Sequence, residues 1–209
     1  MTVSKIAKIG IVDYGINNLS SITKAFKFLE IDCKVIQNHN DLKNFSHLIL
    51  PGVGSFSSGI KNLKNLNFYE EIINVVHKEI FLLGICLGMQ LLFNSSQESN
   101  ENTKGLGLID GSVNKIKKHQ GTSVPHVGWN SVEITSNSKL MKNIGQNSFF
   151  YFIHSFAVKP NDNNVVVGSC THGDIFPAIV NKKNIYGVQF HPEKCHQNGL
   201  QIFKNFSLF

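Results

Sequence analysis

The sequence predicts an α/β protein of three layers, a mixed and largely parallel sheet with helices on both faces. Three observations carry this reading. Apolar strand-like runs alternate with helical periodicities as far as Phe93, and shorter strand-like runs crowd the chain after Gly105. The longest apolar run, residues 80–93, is broken at its centre by Gly84-Ile85-Cys86-Leu87-Gly88. Strand–helix alternation builds βα units, whose parallel strands need helices on both sides. The closely spaced runs of the second half add antiparallel strands. With 209 residues and 42% hydrophobic composition the chain can bury one sizeable core, so a single domain over residues 1–209 is expected.

Residues 6–12 form the first strand, and Asp13-Tyr14-Gly15 leads into a helix whose Leu19, Ile22, Ala25, Phe26 and Leu29 share a face. No G-x-G-x-x-G follows that strand, which excludes a dinucleotide fingerprint. Strands are expected at 33–37 and 47–50, then helical patterns marked by Ile60, Leu63 and Leu66 and by Ile72, Ile73 and Val76. Residues 80–85 read as a buried strand, with a helix beginning near Leu87 and a polar solvent loop over 94–104. Further strands are expected at 112–117, 131–134, 148–153, 164–170, 175–180 and 185–190, and a last helix at 198–206. Gly128-Trp129-Asn130 reads as a turn, and His126, His154 and His172 read as structural, since histidine is often partly buried.

The chemistry is expected at Cys86. A turn between a buried strand and a helix, so tight that only glycine fits on both sides, is the cysteine form of a nucleophile elbow. It lifts the sulfur above the sheet edge and aims the first free N–H groups of the helix at it, which favours the thiolate. By itself Cys86 could equally be a small buried hydrophobe. A second stretch, Tyr186 to Phe190 followed by His191-Pro192-Glu193, weighs against that. In extended chain, residues two apart share a face, so the Glu193 carboxylate can orient the His191 imidazole. Cysteine, histidine and carboxylate together follow triad logic.

Pro51-Gly52-Val53-Gly54 follows a strand, where open α/β sheets place ligand loops. The Val53–Gly54 loop is the natural second donor to an oxyanion, with the N–H of Leu87 as the first. Glycines on both sides leave the Val53 peptide free to reorient. The hole is therefore expected to be incomplete until a partner docks, with low activity in isolation. Gln90, four residues after Cys86 on the helix, faces the same way.

Composition removes several classes. The net charge of +6 comes from lysine alone, since the chain has no arginine, and a nucleic-acid binder without one guanidinium is not expected. No stretch approaches a membrane span and the N-terminus lacks a signal peptide's apolar region, so a cytoplasmic protein is expected. Cys33, Cys86, Cys170 and Cys195 show no C-x-x-C spacing, which argues against a disulfide framework or zinc site. His191, Cys195 and His196 lie close in sequence but lack a second ligand cluster, so no metal is expected.

Gly84-Ile85-Cys86-Leu87-Gly88-Met89-Gln90 with His191-Pro192-Glu193 resembles the class I, triad-type glutamine amidotransferases. Asp13-Tyr14-Gly15, Pro51 to Phe56, Pro125 to Asn130, Tyr151 to Phe156 and Lys194 are similar to one branch of them, the glutaminase subunits of imidazole glycerol phosphate synthases. The resemblance runs from about residue 9 to the C-terminus. It implies ammonia release from glutamine by Cys86, His191 and Glu193, with no cofactor and with transfer of the ammonia to a (β/α)8-barrel cyclase. It implies that Gly52, Gln90, Glu98, Ser155 and Phe156 bind glutamine, Glu98 as a buried carboxylate facing the α-ammonium. It also places Asn17, Asn18, Trp129 and Lys194 on the partner face. Three positions depart from the branch: Asn17 stands where glycine is usual, Phe156 where tyrosine is usual, and Cys195 where serine is usual. Open alternatives are a related glutaminase feeding a different amination, such as one on a surface-polysaccharide sugar, a cysteine peptidase of the same fold, and an inactive regulatory subunit.

Overall fold

The structure, a computed structural model, describes residues 7–16, 18–98 and 103–209. Its centre is a nine-stranded mixed sheet. The first strands, β1 (Ile9–Val12), β2 (Cys33–Ile36), β3 (His47–Leu50) and β4 (Phe81–Ile85), run parallel in the order β2-β1-β3-β4. They are joined by β12 (Ile185–Val188), parallel to β4 with Val188 opposite Ile85. Beyond β12 the sheet continues antiparallel through β11 (Asp174–Lys182), β10 (Val166–His172), β7 (His126–Ile134) and β8 (Ser148–His154). A second sheet of three strands is built from β5 (Ser95–Ser96), β6 (Gly111–Lys115) and β9 (Phe156–Pro160).

The pleat explains the three layers. Ile9, Ile11, Ile49, Leu83, Ile85 and Val188 face one core, shared with helices α1 (Leu19–Phe28) and α5 (His196–Phe206) through Ile22, Phe26, Ile202, Phe203 and Phe206. Their alternates Val12, Leu48, Leu50 and Leu82 face the other. That side is covered by α2 (Phe56–Asn65), α3 (Phe68–His77) and the short α4 (Leu87–Leu91), with Phe56, Ile60, Leu63, Phe68, Ile72 and Leu87. Strands buried on both faces read as continuous apolar runs, and Ile9–Val12 and His47–Leu50 do. In α2 the Ser55 hydroxyl caps the start by accepting from the N–H of Ser58. The left-handed Asn67, at φ 59°, breaks the chain between α2 and α3, where Glu70 and Glu71 favour the helix start.

Several expected elements differ. β7 begins at His126, not 131, so Trp129 lies within a strand and not in a turn; Gly128, at φ 136°, is a glycine inside that strand. β9 was not anticipated, because only Ser155 separates it from β8. The last helix starts at His196, and β12 stops at Val188, three residues short of His191. No helix among the described residues is long and apolar enough to cross a membrane.

Candidate active site

Cys86 lies between β4 and α4 with φ 53° and ψ −109°, a strained conformation for any residue but glycine. Two contacts fix it. Its N–H donates to the Val188 carbonyl at 2.8 Å, and its carbonyl accepts the N–H of Gln90 at 3.2 Å. The flanking glycines are steric requirements: a Cβ on Gly84 would stand 2.7 Å from the Gly88 carbonyl oxygen, and one on Gly88 only 1.8 Å from that of Leu50. The sulfur is 3.9 Å from the Ile153 carbonyl and 3.7 Å from the Gln189 amide nitrogen.

His191 and Glu193 meet as expected, by a different route. His191 is extended, but Pro192–Lys194 form a 3-10 turn, with proline at the position whose missing N–H costs nothing. The turn brings Glu193 Oε1 to 2.8 Å from His191 Nδ1, both side chains almost fully buried. Among the described residues, His191 Nε2 and Glu193 Oε2 have no hydrogen-bond partner of their own. Burial alone would lower the His191 pKa, but the neighbouring Cys86 sulfur and the Glu193 carboxylate outweigh it and raise the pKa well above the ordinary imidazole value. A cysteine beside an imidazole kept protonated is arranged for nucleophilic attack followed by proton donation.

Cys86 and His191 open into a cavity of about 300 Å³, which Val53, Gly54, Leu87, Gln90, Glu98, Ser155 and Phe156 also line. The structure therefore brings together most of the residues read from the sequence. Gly52 is an exception. It lies beneath the wall, where a Cβ would meet the Tyr14 hydroxyl at 2.5 Å and Leu87 Cβ at 3.0 Å, so glycine there serves close approach of the loop. Glu98 is corrected too: it lines the cavity but is exposed and not buried, because its Oε2 is drawn to the start of α2, where it accepts the N–H of Phe56 at 2.8 Å. Of the residues expected on a partner face, Trp129 is 47% exposed and stacks on His196, and the Lys194 ammonium sits 5.3 Å above the Tyr151 ring. Asn18 caps α1 without a side-chain bond to its backbone, and Asn17 lies outside the described residues.

Sequence reasoning missed four contributors. The Tyr14 hydroxyl donates to the Pro51 carbonyl at 2.6 Å, and the Ile16 carbonyl accepts the Val53 N–H at 3.3 Å, so the loop after β1 holds the loop after β3. Burial, aided by Cys86, pushes the Tyr14 phenol well up, which keeps it a donor. Gln189, fully buried, links Gln90 and Cys86. A glutamine inside the apolar run Tyr186 to Phe190 was the available signal, since a buried amide must be paired. His154, read as structural, lines the cavity as well.

The fold and this site define an amidotransferase. The family model for class-I glutamine amidotransferases matches residues 10–208, and the chain belongs to that family. Among its relatives, the imidazole glycerol phosphate synthase subunit HisH of Methanocaldococcus jannaschii is 46% identical over 200 residues, covering 95% of this chain and 97% of that protein. The subunit of the same name from Helicobacter hepaticus is 42% identical over 212 residues, with the same coverage of both. Among solved structures, PurLQS from Thermotoga maritima superposes with a TM-score of 0.76 at 18% identity, covering 97% of this chain and 98% of the other. A glutamine amidotransferase does so with 0.74 at 20% identity, covering 95% and 96%.

Proposed function

We propose that this chain is the glutaminase subunit of an imidazole glycerol phosphate synthase, one cytoplasmic domain that supplies ammonia to a (β/α)8-barrel cyclase in histidine biosynthesis. The observation that carries the reading is the convergence of Cys86, on its strained elbow, with the buried His191–Glu193 pair in one cavity. The Cys86 thiolate attacks the carboxamide carbon of glutamine. The resulting oxyanion accepts N–H groups of Leu87 and of the Val53–Gly54 loop. His191, held in orientation by Glu193, gives its proton to the departing nitrogen, so ammonia leaves and a thioester remains. Neutral His191 then takes a proton from water, whose oxygen attacks the thioester, releasing glutamate and restoring the thiolate–imidazolium pair. Every step uses acid–base and nucleophilic groups of the chain, so the chemistry calls for no metal or organic cofactor.

The Val53 N–H bonded to Ile16 supports a latent site, because that donor is committed away from the sulfur. Docking on the nearby surface would have to turn the Gly52–Val53 peptide, which carries that N–H, and glycine on its N-terminal side gives the backbone freedom to do so. The surface available is the outer face of β7 and β8. Val127, Trp129, Phe149 and Ile153 expose 43–58% of their area there, an apolar patch of the kind that marks an interaction site. The test is ammonia release from glutamine by the chain alone, and by the chain with the cyclase and its ribonucleotide substrate. Low release alone, strong stimulation by the loaded cyclase and loss of both in Cys86→Ala are expected. Reaction of Cys86 with a glutamine-like electrophile without any stimulation would assign the chain to a different synthase.

A further inference from the structure

The carboxamide of Gln90 spends both its N–H groups on the protein: Nε2 donates to the Phe156 carbonyl at 3.0 Å and to Gln189 Oε1 at 3.1 Å. Its oxygen is then the atom left for the cavity. What decides this orientation lies one layer further out. The Phe156 carbonyl also accepts from His154 Nδ1 at 2.9 Å, and a carbonyl can only accept, so the His154 proton is on Nδ1. In a neutral ring Nε2 is then an acceptor, and the group that reaches it, at 3.1 Å, is His126 Nδ1. His126 must therefore carry its own proton on Nδ1 and accept at Nε2. There the Asn130 amide nitrogen stands at 3.4 Å, while the Asn130 oxygen accepts the N–H of Ser131 at 2.8 Å. Each step forces the next.

The surroundings hold both rings neutral. Burial lowers His126 to about 4 and His154 to about 3. Phe152 and Phe176 pack on both, and His172 stacks on His126 at 3.9 Å. Repulsion from His172 lowers His126 further, and repulsion from His126, His172 and, across the cavity, His191 lowers His154.

We propose that His126 and His154 are positioning residues for substrate: the one-way chain Asn130–His126–His154–Phe156 fixes Gln90 with its oxygen toward the cavity, where it accepts an N–H of bound glutamine. This rests on the reading that the cavity takes glutamine. Without the chain the Phe156 carbonyl loses one donor, and the Gln90 amide can turn and present its own N–H groups to a substrate N–H, which can only donate.

The test uses the chain with its cyclase. In His126→Phe, which keeps the ring stack but removes the donor to His154, KM for glutamine should rise about tenfold while kcat stays within about threefold. His126→Asn, whose amide nitrogen replaces Nδ1, should return KM to within about threefold of the parent. Alkylation of Cys86 by iodoacetamide, which needs no glutamine pocket, should be unchanged in both. In the unsubstituted protein, ¹⁵N NMR of the imidazoles at pH 7 should find the proton on Nδ1 of both rings. An Nε2–H on His154, or a folded His126→Phe with unchanged KM or with loss confined to kcat, would overturn the proposal. Failure of the parent reading is separate: it would appear as glutamine turnover surviving in Cys86→Ala.

Discussion

Gly88→Ala strikes the elbow where it has least room. The added carbon would stand 1.8 Å from the Leu50 carbonyl oxygen and 2.8 Å from its carbon, where ordinary contact begins at 3.4 Å. Leu50 ends β3 and is paired opposite Gly84 of β4, so the obstacle is backbone held by the sheet and cannot swing aside. Relief requires α4 to rise by more than an ångström, and Cys86 rises with it. Overpacking of this kind costs about 1–3 kcal/mol. In a chain of 209 residues that is a fall in Tm of about 3–10 °C, read by calorimetry. A shift of about 1 Å at a nucleophile costs on the order of 100-fold in rate, read as ammonia release with the cyclase present. Gly145→Ala is the control, since its Cβ would meet only Ser148 Oγ at 3.7 Å, and it should leave both readings in place. Parental Tm and activity in Gly88→Ala would refute the steric account of the elbow.

Acid should unfold the protein earlier than carboxylates alone would bring about. His47, His126 and His154 are lowered by burial to about 4, 4 and 3, so between pH 6.5 and about 4 the unfolded chain binds protons that the folded one refuses. Stability then falls with pH by up to about 1.4 kcal/mol per unit for each group, and denaturant titrations of His47→Phe should show a shallower acid limb. His191 has the opposite sign: its raised pKa stabilises the fold fully below the unfolded value, and that contribution fades as pH rises above about 6.5 toward the folded pKa. Asn205→Ala should lose about 2–4 kcal/mol in urea unfolding, because its buried amide donates to the Leu140 and Lys142 carbonyls at 2.8 and 2.7 Å and leaves both unpaired. Ser55→Ala removes the cap of α2 and should cost about 1 kcal/mol in the same assay.

The sequence made the first half of the fold legible because its central parallel strands, β1, β3 and β4, are buried on both faces and its helices carry one apolar stripe each. Cys86 was legible for a different reason: two glycines in an apolar run have few other uses. What escaped was geometry created between segments. Glu193 reaches His191 through a 3-10 turn and not through strand alternation, yet the two-residue spacing serves both. β9 was invisible because Ser155 passes the chain from one sheet to the other without glycine or proline to mark the bend. Glu98 was expected to be buried, and nothing in its own stretch tells that its carboxylate meets the N–H of Phe56, 42 residues away. The histidines at 126 and 154 gave no local signal, since their role depends on a partner 28 residues away.

β8 alternates along its length: Phe149, Tyr151 and Ile153 turn outward, while Phe150, Phe152 and His154 turn inward. The same strand sets its Ile153 carbonyl against the Cys86 sulfur and its Tyr151 carbonyl against the His191 N–H. Gaining or losing a single residue between Ser148 and His154 would invert this alternation, putting aromatic rings where water is and carrying both carbonyls off their targets. Two residues would restore the faces but not the carbonyls. This strand therefore tolerates changes of letter but not of length, and insertions in this half of the chain belong in the stretch between β6 and β7.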